Sequence, residues 1–197
     1  MIGSKRIAAL CFAALFLAGA APAAAVTQSP QLQKCLKRAD ELPDIAAAEA
    51  EAWFRKGGGD DARLCRAFAQ SNRGEHETAG RDFAYLADRA RGAQARALHD
   101  LAGHDFLRAK DAKQAKAQFD AALKISPGDT AALTGRAEAL MQDEHYWDAI
   151  DDLNRILRIW PNDAEALRQR GLAWTRLGND AKAKEDLEAA HAAESKP

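Results

Sequence analysis

The chain has 197 residues, with 28 Lys or Arg against 29 Asp or Glu, for a formal charge of −1. Both signs are interspersed along it, so it lacks the basic face or stripe that a nucleic-acid surface needs. The length allows one domain with a sizeable core.

The first element is an export layout. Lys5 and Arg6 give a short positive start, Ile7 to Ala20 is almost wholly apolar, Pro22 breaks the run, and Ala23-Ala24-Ala25 supplies small residues for a signal peptidase. Residues 1–25 are therefore expected to be a signal peptide cleaved before Val26. The apolar run of 14 residues is too short to cross about 30 Å of hydrocarbon as a helix, which argues against a membrane anchor. Leu10, not a small residue, precedes Cys11, which argues against a lipoprotein. The mature chain would keep 197 − 25 = 172 residues and a charge of 26 − 29 = −3, with no stable insertion in the membrane.

Cys35 and Cys65 remain after cleavage. An even number of cysteines in an exported chain favours a disulfide over metal binding, because the compartment is oxidising. Gln31 to Asp40 and Asp44 to Lys56 both read as helices, parted by Leu42-Pro43. Residues 26–59 thus make a degenerate leading helix pair that ends in the linker Gly57-Gly58-Gly59.

The remainder repeats. Residues 60–93, 96–129, 130–163 and 164–197 form four frames of 34 residues, with Gln94 and Ala95 inserted between the first two. Position 8 of each frame holds Ala67, Gly103, Ala137 and Gly171, and position 20 holds Ala79, Ala115, Ala149 and Ala183. Position 24 holds Phe83, Phe119, Leu153 and Leu187; position 27 holds Leu86, Ala122, Ile156 and Ala190. Bulky residues recur at helical spacing, one apolar stripe per helix. Turns fall at Arg73-Gly74-Glu75, Ala109-Lys110-Asp111, Gln142-Asp143-Glu144 and Leu177-Gly178-Asn179, and Gly-Asp after Pro127 and Asn-Asp after Pro161 offer N-caps for the next helix. The last helix, Asn179 to Ala193, carries the polar outer face that a solenoid end needs for solubility.

On these columns the sequence resembles the tetratricopeptide repeat over residues 60–197. The resemblance implies an all-α solenoid of antiparallel helix pairs, in which small residues let paired helices approach and bulky ones fill the layer between units. Two departures stand out. The tryptophan usual near the start of each unit is replaced by Arg63, His99, Leu133 and Leu167, and the closing proline by Arg91 and Ser195 in the first and last frames.

The resemblance also implies a binding groove lined by first-helix residues. Carried over position by position, these are Leu64, Phe68, Ser71 and Asn72, then Asp100, His104, Leu107 and Arg108, then Thr134, Glu138, Met141 and Gln142, then Arg168, Leu172, Thr175 and Arg176. The family members that clamp a C-terminal carboxylate use lysine and asparagine where this chain has Asp100, His104, Thr134 and Glu138, so that activity is not implied. No metal site is expected: His99 and His104 lie five residues apart, which turns their imidazoles about 140° from each other on a helix, unlike the four-residue spacing of a helical zinc pair. No catalytic motif and no cofactor motif is present; Gly57-Gly58-Gly59-Asp60-Asp61 lacks the strand before and the Gly-Lys-Ser/Thr after that a phosphate loop requires. The expected protein is a non-catalytic binding scaffold of the bacterial periplasm, holding a protein or peptide of unknown identity. A permanent subunit of an envelope assembly or a self-associating structural protein is the alternative, and a cell-wall enzyme a more distant one.

Overall fold

The structure is a computed structural model that describes residues 29–195; the export segment Met1 to Ala25 and the last residue of the fourth frame, Pro197, lie outside the described residues. Ten helices succeed one another there with no strand between them. They are α1 (Pro30–Glu41), α2 (Pro43–Arg55), α3 (Gly59–Arg73), α4 (His76–Arg89), α5 (Gly92–Arg108), α6 (Ala112–Ile125), α7 (Thr130–Gln142), α8 (Tyr146–Ile159), α9 (Ala164–Arg176) and α10 (Asp180–Glu194). The fold class is the all-α solenoid of antiparallel helix pairs. By compactness the chain divides into one unit ending at Asp105 and another beginning at Phe106. The division cuts α5, inside the frame 96–129, where the sequence register gives no sign of a boundary.

Local chemistry fixes the helix ends. Ser29 caps α1 by accepting from the Leu32 N–H, and Asp111, Asp129, Asp163 and Asn179 cap α6, α7, α9 and α10 in the same way. Pro30 and Pro43 open α1 and α2, at a position where a missing N–H costs nothing. Each first helix stops at position 15 of its frame, where the backbone turns left-handed: φ is 84° at Gly74, 64° at Lys110, 62° at Glu144 and 73° at Gly178.

In the unit ending at Asp105, α1 packs on α2 and α3, α2 on α3, and α3 on α4. Leu32, Cys35, Ala50 and Cys65 form a buried cluster with Leu36, Trp53 and Leu64 against it. Cys35 of α1 and Cys65 of α3 are joined in a disulfide with Cα atoms 5.9 Å apart. A repeat-like spacing of 30 residues thus puts the two cysteines on neighbouring first helices, at a separation the bond tolerates.

In the unit from Phe106, each helix from α6 to α10 packs on the next. The small residues at positions 8 and 20 are buried in both units, as are Phe83, Phe119, Leu153, Leu86, Ala122, Ile156 and Ala190 of positions 24 and 27. Gly171 shows why position 8 must be small: a Cβ added there would meet Leu187 Cγ at 2.9 Å and the Ala183 carbonyl at 3.3 Å. Gly135 is stricter, since a Cβ would lie 2.3 Å from the Phe119 ring. Position 24 has one exception: Leu187 is 37 % exposed, so the outer face of α10 is less polar than its charged residues suggest.

Candidate functional site: the first-helix faces

An arginine clamp, missed in the sequence, shapes these faces. Arg66, Arg136 and Arg170 occupy position 7 of their frames, and Asp82, Asp152 and Asp186 position 23. Each guanidinium grips its aspartate with two nitrogens: Nε and Nη2 of Arg136 lie 2.7 and 2.6 Å from Asp152, those of Arg170 2.8 and 2.6 Å from Asp186, and those of Arg66 2.8 and 3.0 Å from Asp82. The third nitrogen reaches back to the second helix of the preceding pair, Glu51 at 2.6 Å, Asp120 at 2.7 Å and Asn154 at 2.7 Å. One planar side chain thus ties three helices, which suits the fork of donors that arginine offers. The three aspartates are buried. Hydrogen bonds donated to Asp152 raise the Arg136 pKa above its already high value despite burial, and those donated to Asp186 and Asp82 do the same for Arg170 and Arg66. Burial pushes the Asp120 carboxyl up, but hydrogen bonds from Lys116 and Arg136 outweigh it and hold the group below its ordinary value. The frame 96–129 has Ala102 and Gln118 at these positions. Both partners are replaced together.

The column that lacks tryptophan is filled. Leu133, Leu167 and His99 are buried. The Arg63 guanidinium lies 4.8 Å from the Phe54 ring and 3.9 Å from the Tyr85 ring, and donates to Asp82 at 2.7 Å. Flat and delocalised, it stacks where the indole would have packed.

The expected groove residues take several roles. Phe68 is buried, edge-on to Phe83 of its own pair with ring centroids 5.0 Å apart, and Leu107 is buried too; both are core. Leu64 packs on the disulfide cluster. Asn72 and Gln142, both at position 13, donate to carbonyls of the preceding first helix, Ala39 at 2.9 Å and Leu107 at 3.3 Å. They join first helices to one another and are committed to the fold. Thr134 and Thr175 donate to carbonyls one turn back on their own helices. Asp100 is paired with Arg96 at 2.8 Å, Arg168 with Glu165 and with Glu194 at 2.7 Å. His104 is half-buried and Arg108 exposed. Met141 is half-buried against Ile150, Ala173, Trp174 and Ala183, beside an edge-on pair of Trp147 and Trp174 with ring centroids 5.4 Å apart.

Three residues are left over, all in the unit from Phe106. Glu138 on α7 and Arg176 on α9 are exposed and make no hydrogen bond or ion pair among the described residues, and Leu172 on α9 is 47 % exposed. An acid, a base and an apolar side chain thus stand unengaged on two successive first helices.

Ser71 Oγ and His76 Nδ1 both bond to Oδ1 of the buried Asp105, at 2.8 and 2.7 Å. The serine donates to the carboxylate and not to the imidazole, unlike the serine of a Ser-His-Asp triad. Among the described residues no three His, Cys, Asp or Glu side chains gather as a metal site, and no helix is long and apolar enough to cross a membrane.

The tetratricopeptide-repeat family profile matches residues 106–168. Among solved structures, MamA from Desulfovibrio magneticus RS-1 superposes with a TM-score of 0.70 at 19 % identity, over 83 % of this chain and 91 % of that one. MamA of MSR-1 gives 0.68 at 14 %, over 82 % and 93 %. YrrB, described as a TPR protein with an unusual peptide-binding site, gives 0.65 at 17 %, over 81 % and 84 %. No curated protein sequence is similar enough to count as a match.

Proposed function

The chain is a tetratricopeptide-repeat protein, and from that premise we propose that it is a non-catalytic scaffold of the bacterial cell envelope, holding a partner peptide or helix on its first-helix face. One observation carries the reading. Charged residues of the first helices are mostly tied into ion pairs, yet Glu138, Leu172 and Arg176 remain exposed and unengaged. An acid and a base flanking an apolar side chain suit a partner segment with an apolar anchor between charges of opposite sign. YrrB, a neighbour of the same fold, has a peptide-binding site, which supports the peptide as ligand class. Two features support the location in the periplasm: the export layout of residues 1–25, and the Cys35–Cys65 disulfide, a bond that persists in oxidising compartments.

Crosslinking followed by pull-down from envelope extracts tests the proposal. The natural chain captures a partner, and Glu138→Ala/Leu172→Ala/Arg176→Ala loses it. Equal capture by that variant overturns the first-helix face as the site. Intact mass of the exported protein tests the location; it corresponds to a start near Val26, and retention of Met1 to Ala25 overturns that part.

A second reading, permanent membership in an envelope assembly, is favoured by a different observation. Ile125, Trp147, Ile159 and Trp160 are all exposed in the unit from Phe106, more large apolar surface than a transient peptide binder requires. Recovery of the partner in a fixed ratio through high-salt washes selects this reading over the first.

A further inference from the structure

The outer face of α10 continues a register that is covered elsewhere in its unit. Phe119 and Leu153, at position 24, are buried, and their successors Asp120 and Asn154 accept hydrogen bonds from Arg136 and Arg170 of the next first helix, each at 2.7 Å. Thirty-four residues beyond Leu153 and Asn154 stand Leu187 and Glu188. Among the described residues no further helix covers them. Leu187 lies open at the surface, the Glu188 side chain is exposed, and with Asp180, Ala183, Lys184 and His191 they line a shallow trough of about 510 Å³.

The order of charges along this trough says what fits it. Asp180, Lys184, Leu187, Glu188 and His191 follow one another at intervals that keep them on one side of the helix. Read forward, the series is acid, base, apolar, acid, imidazole. Read backward, it places a complementary group opposite almost every member. A surface that complements its own reverse is what a two-fold interface between identical chains requires.

We propose that α10 is a self-association surface, pairing antiparallel with α10 of a second copy about a two-fold axis beside Leu187. The two Leu187 side chains meet at the centre. Lys184 of each copy faces Glu188 of the other, and Asp180 faces His191. Within one chain Lys184 and Glu188 are 3.8 Å apart with both side chains largely in water, so exchanging that contact for one across the interface costs little. A single helix pair buries less than a standard interface, and the dimer is accordingly weak. The surface shares no residue with the Glu138, Leu172 and Arg176 face, so the two proposals stand or fall separately.

Sedimentation velocity on the purified full chain, disulfide intact, over roughly a hundredfold range of concentration tests this. The dimer fraction rises with concentration. Lys184→Glu alone, or Glu188→Lys alone, sets like charges opposite each other and weakens dimerisation about tenfold or more. The double variant Lys184→Glu/Glu188→Lys recovers it to within about twofold, since the reversed face is again self-complementary. Melting temperatures stay the same in all three, which separates association from folding. Leu187→Cys forms an intermolecular disulfide with its counterpart on mild oxidation. A chain that stays monomeric throughout overturns the proposal and leaves the trough to an arginine-bearing helix of a different protein. A dimer that ignores the single reversals, or is not regained in the double variant, overturns it equally.

Discussion

Residue identity and backbone shape disagree at position 15. Lys110 and Glu144 hold positive φ where the other two frames have glycine, and a side chain in that region costs about 1–2 kcal/mol. Glycine relieves the strain but loses more entropy on folding, about 0.4–1 kcal/mol. Glu144→Gly is therefore expected to stabilise the protein by about 0.5–1 kcal/mol, the difference of the two effects, measured as a shift in urea midpoint at constant m-value. Gly178→Ala makes the opposite change and lowers the midpoint. A loss of stability in Glu144→Gly contradicts the strain. The turns themselves were readable from Gly74, Gly178 and the Asp and Asn residues that follow; which residue bore the left-handed φ was not, because Lys and Glu carry no turn signature. The same limit hid Arg63. Its position read as a missing tryptophan, and only the flanking Phe54 and Tyr85 rings make a guanidinium an adequate filler.

Between elements, the position-7 arginine sets the energetics. Removing the Arg136 side chain strands the buried Asp152, whose other ionic neighbour, Arg155, is 3.6 Å away, and also releases Asp120. Arg136→Ala is expected to cost about 3 kcal/mol, the lower end for stripping one partner from a buried ion pair. Arg136→Ala/Asp152→Gln copies the frame 96–129, which folds with Ala102 and Gln118. It should recover more than half of that loss in a denaturant series, and a double variant no better than the single one refutes the clamp as a coupled pair. Asp120 adds a pH dependence whose sign is fixed. Its folded pKa lies below the ordinary carboxylate value, so its contribution is complete above about pH 4 and fades as pH falls through the lower folded value. Asp120→Asn should flatten part of the acid limb of the stability profile below about pH 4. The helices were legible from apolar spacing, because burial of small and bulky residues recurs at fixed columns. The clamp was legible in principle, with three arginines and three aspartates in register. It was passed over because single surface charges are usually solvated, and only the helix pairing brings residues 16 apart into contact.

At the scale of the molecule, scaffold and binding residues should respond in opposite ways. Ala149 is fully buried at position 20 of its frame, the position whose counterpart Ala183 faces Gly171 in the next pair. Ala149→Leu overpacks that position and is expected to cost about 1–3 kcal/mol. In repeat architectures each pair is stabilised mainly by its neighbours, so hydrogen exchange should quicken in α7 and α9 as well as in α8, and the melting temperature should fall. Glu138, Leu172 and Arg176 carry no such load. Of the sixteen first-helix positions carried over from the family pattern, these are the ones whose side chains are both exposed and unengaged, a distinction no column alignment could make, because Asn72 and Gln142 share position 13 with Arg176 yet bond to backbone carbonyls. Their joint replacement by alanine should shift melting only slightly, each surface change falling within about 0.5 kcal/mol, while partner capture is lost. The informative experiment therefore measures melting and capture on both variants. If the triple variant unfolds while Ala149→Leu stays stable, the assignment of buried and exposed positions along the frames fails. If the triple variant is stable and captures its partner unchanged, the frames survive and binding lies elsewhere, with the exposed Trp147, Ile159 and Trp160 the next surface to alter.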